Sequence, residues 1–211
     1  HAEALAEACG LIGGPQVRNA ATLGGNVAHA LPAADGMIAL VAMEAQAEIA
    51  STGAGGLSLR RVPLLSLFRG PGQSALVPDR EILVGFYVPK RQPGQASAFL
   101  RMMRPQGVAL PILNLAVWLV RSGDSIIDVR LAVGPAGPVP KRAVAVEDAL
   151  RVAVYGPHVL EQARQVWKET VTFRSSPRRA SAEYRRYLSG LLLEEGLERA
   201  WQRAALFSGE G

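Results

Sequence analysis

The spacing of apolar and polar residues predicts helices and short strands in the first part of the chain. Residues 34–44 carry closely spaced apolar side chains, which is typical of a mostly buried helix. Two alternating stretches flank a glycine-rich turn, which is typical of a hairpin. The predicted elements are helices over 3–9 and 34–44, a helical turn from Pro63, and strands over 45–51, 57–62 and 81–88. We expect the glycine-rich residues 13–26 to form a loop.

The second part of the chain changes from strands to helices. It follows a polar segment rich in proline and glycine, residues 89–95, which predicts a domain boundary. The predicted elements are strands over 96–103, 112–121 and 125–133 and helices over 144–153, 158–170 and 181–205. The turn Ser122-Gly123-Asp124 is typical of a hairpin. The pattern therefore predicts an α+β fold with two domains, residues 1–89 and 96–205. The second is a three-stranded antiparallel sheet backed by a helix bundle.

Length and composition are those of a globular protein. The 211 residues are 49% hydrophobic and 19% charged. No apolar run reaches the roughly 18 residues of a membrane-spanning helix, and the first residues do not resemble a secretory signal. The single cysteine, Cys9, cannot form an internal disulfide or by itself hold an iron–sulfur cluster. We therefore expect a cytoplasmic protein.

The net charge of +5 does not indicate a nucleic-acid partner. Its 23 basic residues are interspersed with 18 acidic ones, and aromatic residues do not alternate with them as on a stacking surface. The densest basic cluster comprises Arg178, Arg179, Arg185 and Arg186. We expect it to form a solvated or subunit-facing helix surface. His29 and His158 are far apart and have no carboxylates at ligand spacing, so no metal site is predicted.

The most informative segment is Thr22-Leu23-Gly24-Gly25-Asn26. Adjacent glycines permit positive φ and let the backbone approach a ligand closely, and successive N–H groups of such a turn can bind an anion. Nine residues later, Asp35 begins the apolar helix, where its carboxylate could accept hydrogen bonds from ribose hydroxyls. Two simpler interpretations remain open: a tight turn stabilised by Thr22, and a helix N-cap at Asp35.

The segment from residue 15 to residue 35 closely resembles the second flavin-binding segment in the FAD subunit of molybdenum hydroxylases, the family of xanthine dehydrogenase and carbon monoxide dehydrogenase. Three further segments resemble the same subunit and occur in the same order, so that the resemblance covers nearly the whole chain. They are residues 80–89, 98–117 and 175–186. The resemblance implies the FAD-binding (medium) subunit, with the second half of a PCMH-type FAD-binding domain followed by the family's C-terminal domain.

The resemblance also implies which residues contact FAD. They are the second flavin loop Thr22, Leu23, Gly24, Gly25 and Asn26, the acidic Asp35, the apolar Leu83 and the basic Arg101. Arg101 replaces a lysine common in relatives, and Gly107 replaces a common aspartate. Without the resemblance, Leu83 would be a core residue and Arg101 a surface charge. Residues 1–14 contain no counterpart of the family's first phosphate loop, so we expect an incomplete site and weak FAD binding by this chain alone.

The implied function is electron transfer through FAD to an external acceptor, with no catalytic residue in this chain. The implied partners are a large molybdopterin subunit and a small subunit with [2Fe–2S] clusters, assembled as a dimer of heterotrimers. The alternative is a flavin-fold scaffold that has lost FAD and only organises partner subunits.

Overall fold

The N-terminal part of the protein consists of four helices followed by a three-stranded sheet. The computed structural model describes residues 2–53, 55–104, 110–177 and 179–206. The helices are α1 (Glu3–Gly10), α2 (Pro15–Ala20), α3 (Leu23–Ala28) and α4 (Asp35–Ala42). The strands are β1 (Gln46–Gly53), β2 (Gly56–Pro63), the short β3 (Phe68–Gly70) and β4 (Gln73–Ser74), and β5 (Glu81–Tyr87). The antiparallel sheet has the order β2-β1-β5, and a 3₁₀ turn at Leu64–Leu67 leads to the separate β3-β4 ribbon.

The C-terminal part is one antiparallel sheet followed by helices. Its strands are β6 (Gln95–Met102), β7 (Leu113–Ser122), β8 (Ser125–Gly134), β9 (Lys141–Arg142) and β10 (Ala153–Val154). Its helices are α5 (Val144–Leu150), α6 (Pro157–Thr170) and α7 (Ala182–Ala205). The strand order is β10-β8-β7-β6, and β9 also pairs with β8. The α+β class is confirmed, with three long strands and three helices as predicted. The prediction omitted the two-residue strands along β8, and its helix over 144–153 ends at Leu150, because Ala153 belongs to β10.

The C-terminal sheet is covered on both faces. Successive side chains of a strand point to opposite faces. On β7, Leu115 and Val117 belong to the core that contains the helices α5, α6 and α7, whereas Ala116 belongs to the core that contains α1 and α4. Residues from the two ends of the chain therefore meet around one sheet. Among the described residues, no helix is both long enough and apolar enough to cross a membrane.

The predicted loop over residues 13–26 is wrong, because α2 and α3 occupy most of it. Pro15 is the first residue of α2, where its missing N–H costs nothing. Thr22 caps α3, and its Oγ1 accepts a hydrogen bond of 2.9 Å from the backbone N–H of Gly25. This cap satisfies an N–H that the first helical turn leaves free and offsets the poor helix propensity of glycine. Neither Gly24 nor Gly25 has positive φ, so their use here is the absence of a side chain.

Gly134 marks the closest approach of the N-terminal segment to the sheet. A Cβ atom placed on this residue would lie 2.4 Å from the carbonyl oxygen of Pro32 and 2.8 Å from Oδ1 of Asn114. Both distances are shorter than real Cβ contacts, and one of them involves the backbone. The glycine therefore allows the segment before α4 to pack directly on the end of β8.

We predict that Gly134→Ala lowers the free energy of unfolding by about 1–3 kcal/mol, the usual cost of an overpacked core. At roughly 2–4 °C per kcal/mol for a chain of this size, the loss is measurable as a lower midpoint of thermal unfolding. Gly85→Ala is the matched control, since Gly85 also lies in a strand but a Cβ there meets nothing within 4 Å. Equal midpoints for the two variants would contradict the close packing at Gly134.

Candidate functional site

A cavity of about 620 Å³ lies where the N-terminal helices meet the C-terminal sheet. Its size falls within the roughly 300–1,000 Å³ that is usual for small-molecule and cofactor sites. Its walls combine the α2–α3 region, the segment before α4, the end of β6, and the start of α7 with the segment before it. The charged side chains in these walls are Asp35, Arg101, Arg174, Arg179 and Arg185. The cavity thus brings together residues that are far apart in the sequence.

Asp35 lies on this cavity with its carboxylate buried. It is the first residue of α4, and the N-cap of that helix is Ala34, so the interpretation of Asp35 as the N-cap is wrong. Its Oδ2 accepts a hydrogen bond of 2.7 Å from Nη1 of Arg101, and its Oδ1 accepts one of 2.6 Å from Nδ2 of Asn114. The carboxylate therefore connects α4 to both β6 and β7.

Arg101 is the cationic partner of this carboxylate. Its side chain is only 4% exposed and that of Asp35 only 6%, so the interpretation of Arg101 as a surface charge is wrong. Nη1 of Arg101 also donates to the carbonyl oxygen of Leu11 at 2.6 Å. Burial raises the pKa of Asp35, while the bonds from Asn114 and Arg101 act in the opposite direction without cancelling that effect. The pair is therefore a buried charge network whose members depend on one another.

The eight predicted flavin contacts are divided by the structure into two groups. Four of them line the cavity: Gly25, Asn26, Asp35 and Arg101. Thr22 instead caps α3, and Leu23 and Leu83 pack against the N-terminal core. A Cβ atom on Gly24 would lie 3.7 Å from the carbonyl oxygen of Leu83, so Gly24 faces the backbone of β5. None of the four residues in this second group lines the cavity.

Sequence reasoning missed Asn114. This side chain is fully buried in β7 and its Nδ2 donates to Asp35 and, at 3.1 Å, to the carbonyl oxygen of Ala33. Its Oδ1 has no hydrogen-bond partner, and the same is true of the buried Oδ1 of Asn26. Buried polar atoms are nearly always hydrogen-bonded, so these two acceptors are exceptions; Oδ1 of Asn114 lies against Gly134 and Oδ1 of Asn26 against Gly36. An asparagine inside an apolar strand was the signal that could have identified Asn114.

The arginine cluster near the start of α7 also differs from the expectation of a solvated helix surface. Arg185 is only 2% exposed, and it lines the cavity together with Arg179. Arg186 is exposed as predicted. Arg178 lies outside the described residues, as does Gly107. Arg185 lies on the same face of α7 as the buried Leu188 and Leu192, but the sequence did not show that the cavity is on that side.

We predict that Arg101→Gln lowers the free energy of unfolding at neutral pH by about 3–5 kcal/mol, because it leaves Asp35 as a buried charge without its cation. The folded-state pKa of Asp35 then rises further above its unfolded value. Lowering the pH through that pKa protonates Asp35, so the difference between variant and wild type shrinks in acid. Urea unfolding at about pH 7 and about pH 5 measures both quantities.

Two controls accompany this prediction. Arg199→Gln removes an exposed i,i+4 pair with Glu195 and should cost less than about 1 kcal/mol. Combining Asp35→Asn with Arg101→Gln should restore part of the loss, because both charges are removed. A loss that is the same at both pH values, or that the double variant does not reduce, would show that the pair is not coupled.

Known proteins resemble the chain over nearly its whole length. The model of the FAD binding domain in molybdopterin dehydrogenase matches residues 1–91, and that of the CO dehydrogenase flavoprotein C-terminal domain matches residues 97–200. A putative xanthine dehydrogenase FAD-binding subunit of Escherichia coli K12 is 32% identical over 189 residues, which are 89% of this chain and 63% of that protein. The nicotine 6-hydroxylase medium subunit of Paenarthrobacter nicotinovorans is 31% identical over 204 residues, 96% of this chain and 69% of that subunit.

The fold matches solved structures as well. Carbon monoxide dehydrogenase from Hydrogenophaga pseudoflava, in a form that lacks the Mo-pyranopterin moiety of its molybdenum cofactor, superimposes with a TM-score of 0.83 at 28% identity. The match covers 94% of this chain and 67% of the solved chain. This chain spans 63% of the length of the Escherichia coli relatives. The chain belongs to the family of FAD-binding subunits of the molybdenum hydroxylases.

Proposed function

We propose that this protein is the electron-transferring FAD subunit of a molybdenum hydroxylase complex, which receives electrons from iron–sulfur clusters and passes them through FAD to an external acceptor. The observation that carries this proposal is the cavity on which Gly25, Asn26, Asp35 and Arg101 meet. These four residues come from three separate segments of the sequence. Their convergence on one cofactor-sized space supports a shared ligand.

The chemistry of these residues fits FAD. Gly25 leaves space on the cavity wall because it has no side chain, and Asn26 lines the same wall. A carboxylate has about four acceptor sites, so Asp35 keeps capacity beyond its bonds to Arg101 and Asn114. Arg101 adds a permanent positive charge. When bound, FAD supplies the redox chemistry, and these side chains supply binding, orientation and electrostatic tuning.

The partners belong to the same proposal. Two relatives carry the names medium subunit and medium chain, which supports assembly with other subunits. We propose a large molybdopterin subunit and a small [2Fe–2S] subunit, arranged as a dimer of heterotrimers, as the family resemblance implies. A cytoplasmic location also stays a prediction, which rests on the single cysteine.

One observation favours the alternative of a scaffold without FAD. Asp35 and Arg101, two of the predicted flavin contacts, are bonded to each other, and the pair holds α4 against the sheet. In a scaffold this network would serve stability alone. The two functions therefore differ in whether the cavity beside the pair holds a flavin.

We predict that the protein purified with its partner subunits contains FAD and that Gly25→Val removes most of it. A side chain at this cavity-lining position would occupy space that the cofactor needs. We expect the fold to survive, because φ is not positive at Gly25 and the atom nearest to an added Cβ is the Thr22 hydroxyl oxygen at 3.2 Å, which has to move by a few tenths of an ångström. Flavin absorbance per protein and the midpoint of thermal unfolding are the two measurements.

Gly24→Val is the matched control, since Gly24 lies in the same helix but does not line the cavity. We expect this variant to keep its flavin. Wild-type complex without flavin would favour the scaffold. Full flavin content in Gly25→Val would show that FAD, if bound, lies elsewhere.

A further inference from the structure

Arg185 is a buried cation that the proposed flavin contacts do not explain. It is 2% exposed and lines the cavity. Its side chain donates one hydrogen bond of 2.9 Å, from Nη1 to the carbonyl oxygen of Arg174, and its Nε is buried without a partner. Within the described part of the chain, no carboxylate forms an ion pair with it. A buried charge is costly unless it is paired, so an anionic partner for Arg185 is expected.

The surroundings of Arg185 add positive charge. Arg174 and Arg179 line the same cavity from the segment before α7, and the side chains of these two exposed residues make no hydrogen bond or ion pair in the described structure. Burial lowers the pKa of Arg185, and the charges of Arg179 and Arg174 lower it further. Arg185 is also the fourth residue of α7, near the positive end of the helix dipole.

Among the described residues, no negative charge compensates this cluster. Asp35 is the acidic residue among those that line the cavity, and Arg101 is already its partner. Glu183 lies in the first turn of α7 but is exposed and makes no bond to these arginines in the described structure. The wall formed by Arg174, Arg179 and Arg185 therefore presents three guanidinium groups to a cofactor-sized space without a counter-charge.

We propose that Arg174, Arg179 and Arg185 form a phosphate-binding site on the wall of the cavity, and that this site takes the phosphate groups of a nucleotide. Guanidinium groups match phosphate oxygens with paired N–H donors, and several of them suit a diphosphate. These phosphate groups are the diphosphate of FAD itself or belong to a separate, phosphate-bearing electron acceptor. The identity of the nucleotide rests on the proposed function, whereas the proposal of a phosphate-binding site rests on the arginines alone.

Inorganic pyrophosphate is the probe for this site. Calorimetric titration of the chain should show saturable binding that weakens as salt is added. The double substitution Arg174→Gln and Arg179→Gln should weaken pyrophosphate binding by about tenfold or more, because the loss of one charge-assisted hydrogen bond already lowers affinity by about that factor. Arg185→Gln should do the same. If Arg185→Gln folds poorly because Arg185 is buried, the double variant at the two exposed positions still tests the proposal.

Arg186→Gln is the matched control. It removes an exposed arginine next to Arg185 on the same helix that does not line the cavity, so pyrophosphate affinity should stay within about twofold. Pyrophosphate should also raise the midpoint of thermal unfolding of the wild type but not of the double variant. Absence of pyrophosphate binding, or equal weakening by Arg186→Gln, would overturn the proposal.

A comparison of flavin-loaded and flavin-free complex identifies the source of the phosphate. If FAD prevents pyrophosphate binding, the site holds the diphosphate of the cofactor. If pyrophosphate binds equally to both forms, the site serves a phosphate-bearing acceptor. A complex without any flavin that still binds pyrophosphate through these arginines would overturn the proposed function and leave the phosphate site intact.

Discussion

The buried ion pair between Asp35 and Arg101 is the interaction on which the rest of the site depends. It joins the start of α4 to β6, and Asn114 extends the connection to β7. Burial raises the pKa of Asp35 despite both partners, and taking two charges out of water is in general costly. A more apolar arrangement could hold the same elements together. Both residues of the pair also line the cavity, which supports a role for this network beyond stability.

The sheet of the C-terminal part explains how distant residues reach this cavity. Because β7 is buried on both faces, α1 and α4 pack on one side and the last three helices pack on the other. The segment before α4 then lies against the end of β8, where Gly134 allows backbone contact. The start of α7 and the segment before it reach the same cavity. Its two charged groups thus come from different parts of the chain: the Asp35–Arg101 pair joins α4 to β6, and the three arginines lie at the start of α7 and in the segment before it.

Much of this structure could be predicted from the sequence, and the exceptions have physical reasons. Periodicity located the long strands and helices because they depend on local patterns, and the Thr22–Asn26 segment with its resemblance gave the family. Two short helices over residues 15–28 were missed: α2 begins at Pro15, and α3 forms despite two glycines because Thr22 caps it. The Asp35–Arg101 pair joins residues that are 66 positions apart, and Arg185 lines a cavity built from several segments of the chain. Local patterns in the sequence do not report either arrangement. The proposed domain limits stay a prediction.

The most direct test of the account is an experimental structure of the protein in its flavin-loaded complex. The account predicts that FAD lies in the cavity beside α3, with polar atoms within about 3.2 Å of the backbone near Gly25 and of the Asp35–Arg101 pair. A structure in which this cavity is filled by a partner subunit, or in which FAD is bound away from Asp35 and Arg101, would contradict it.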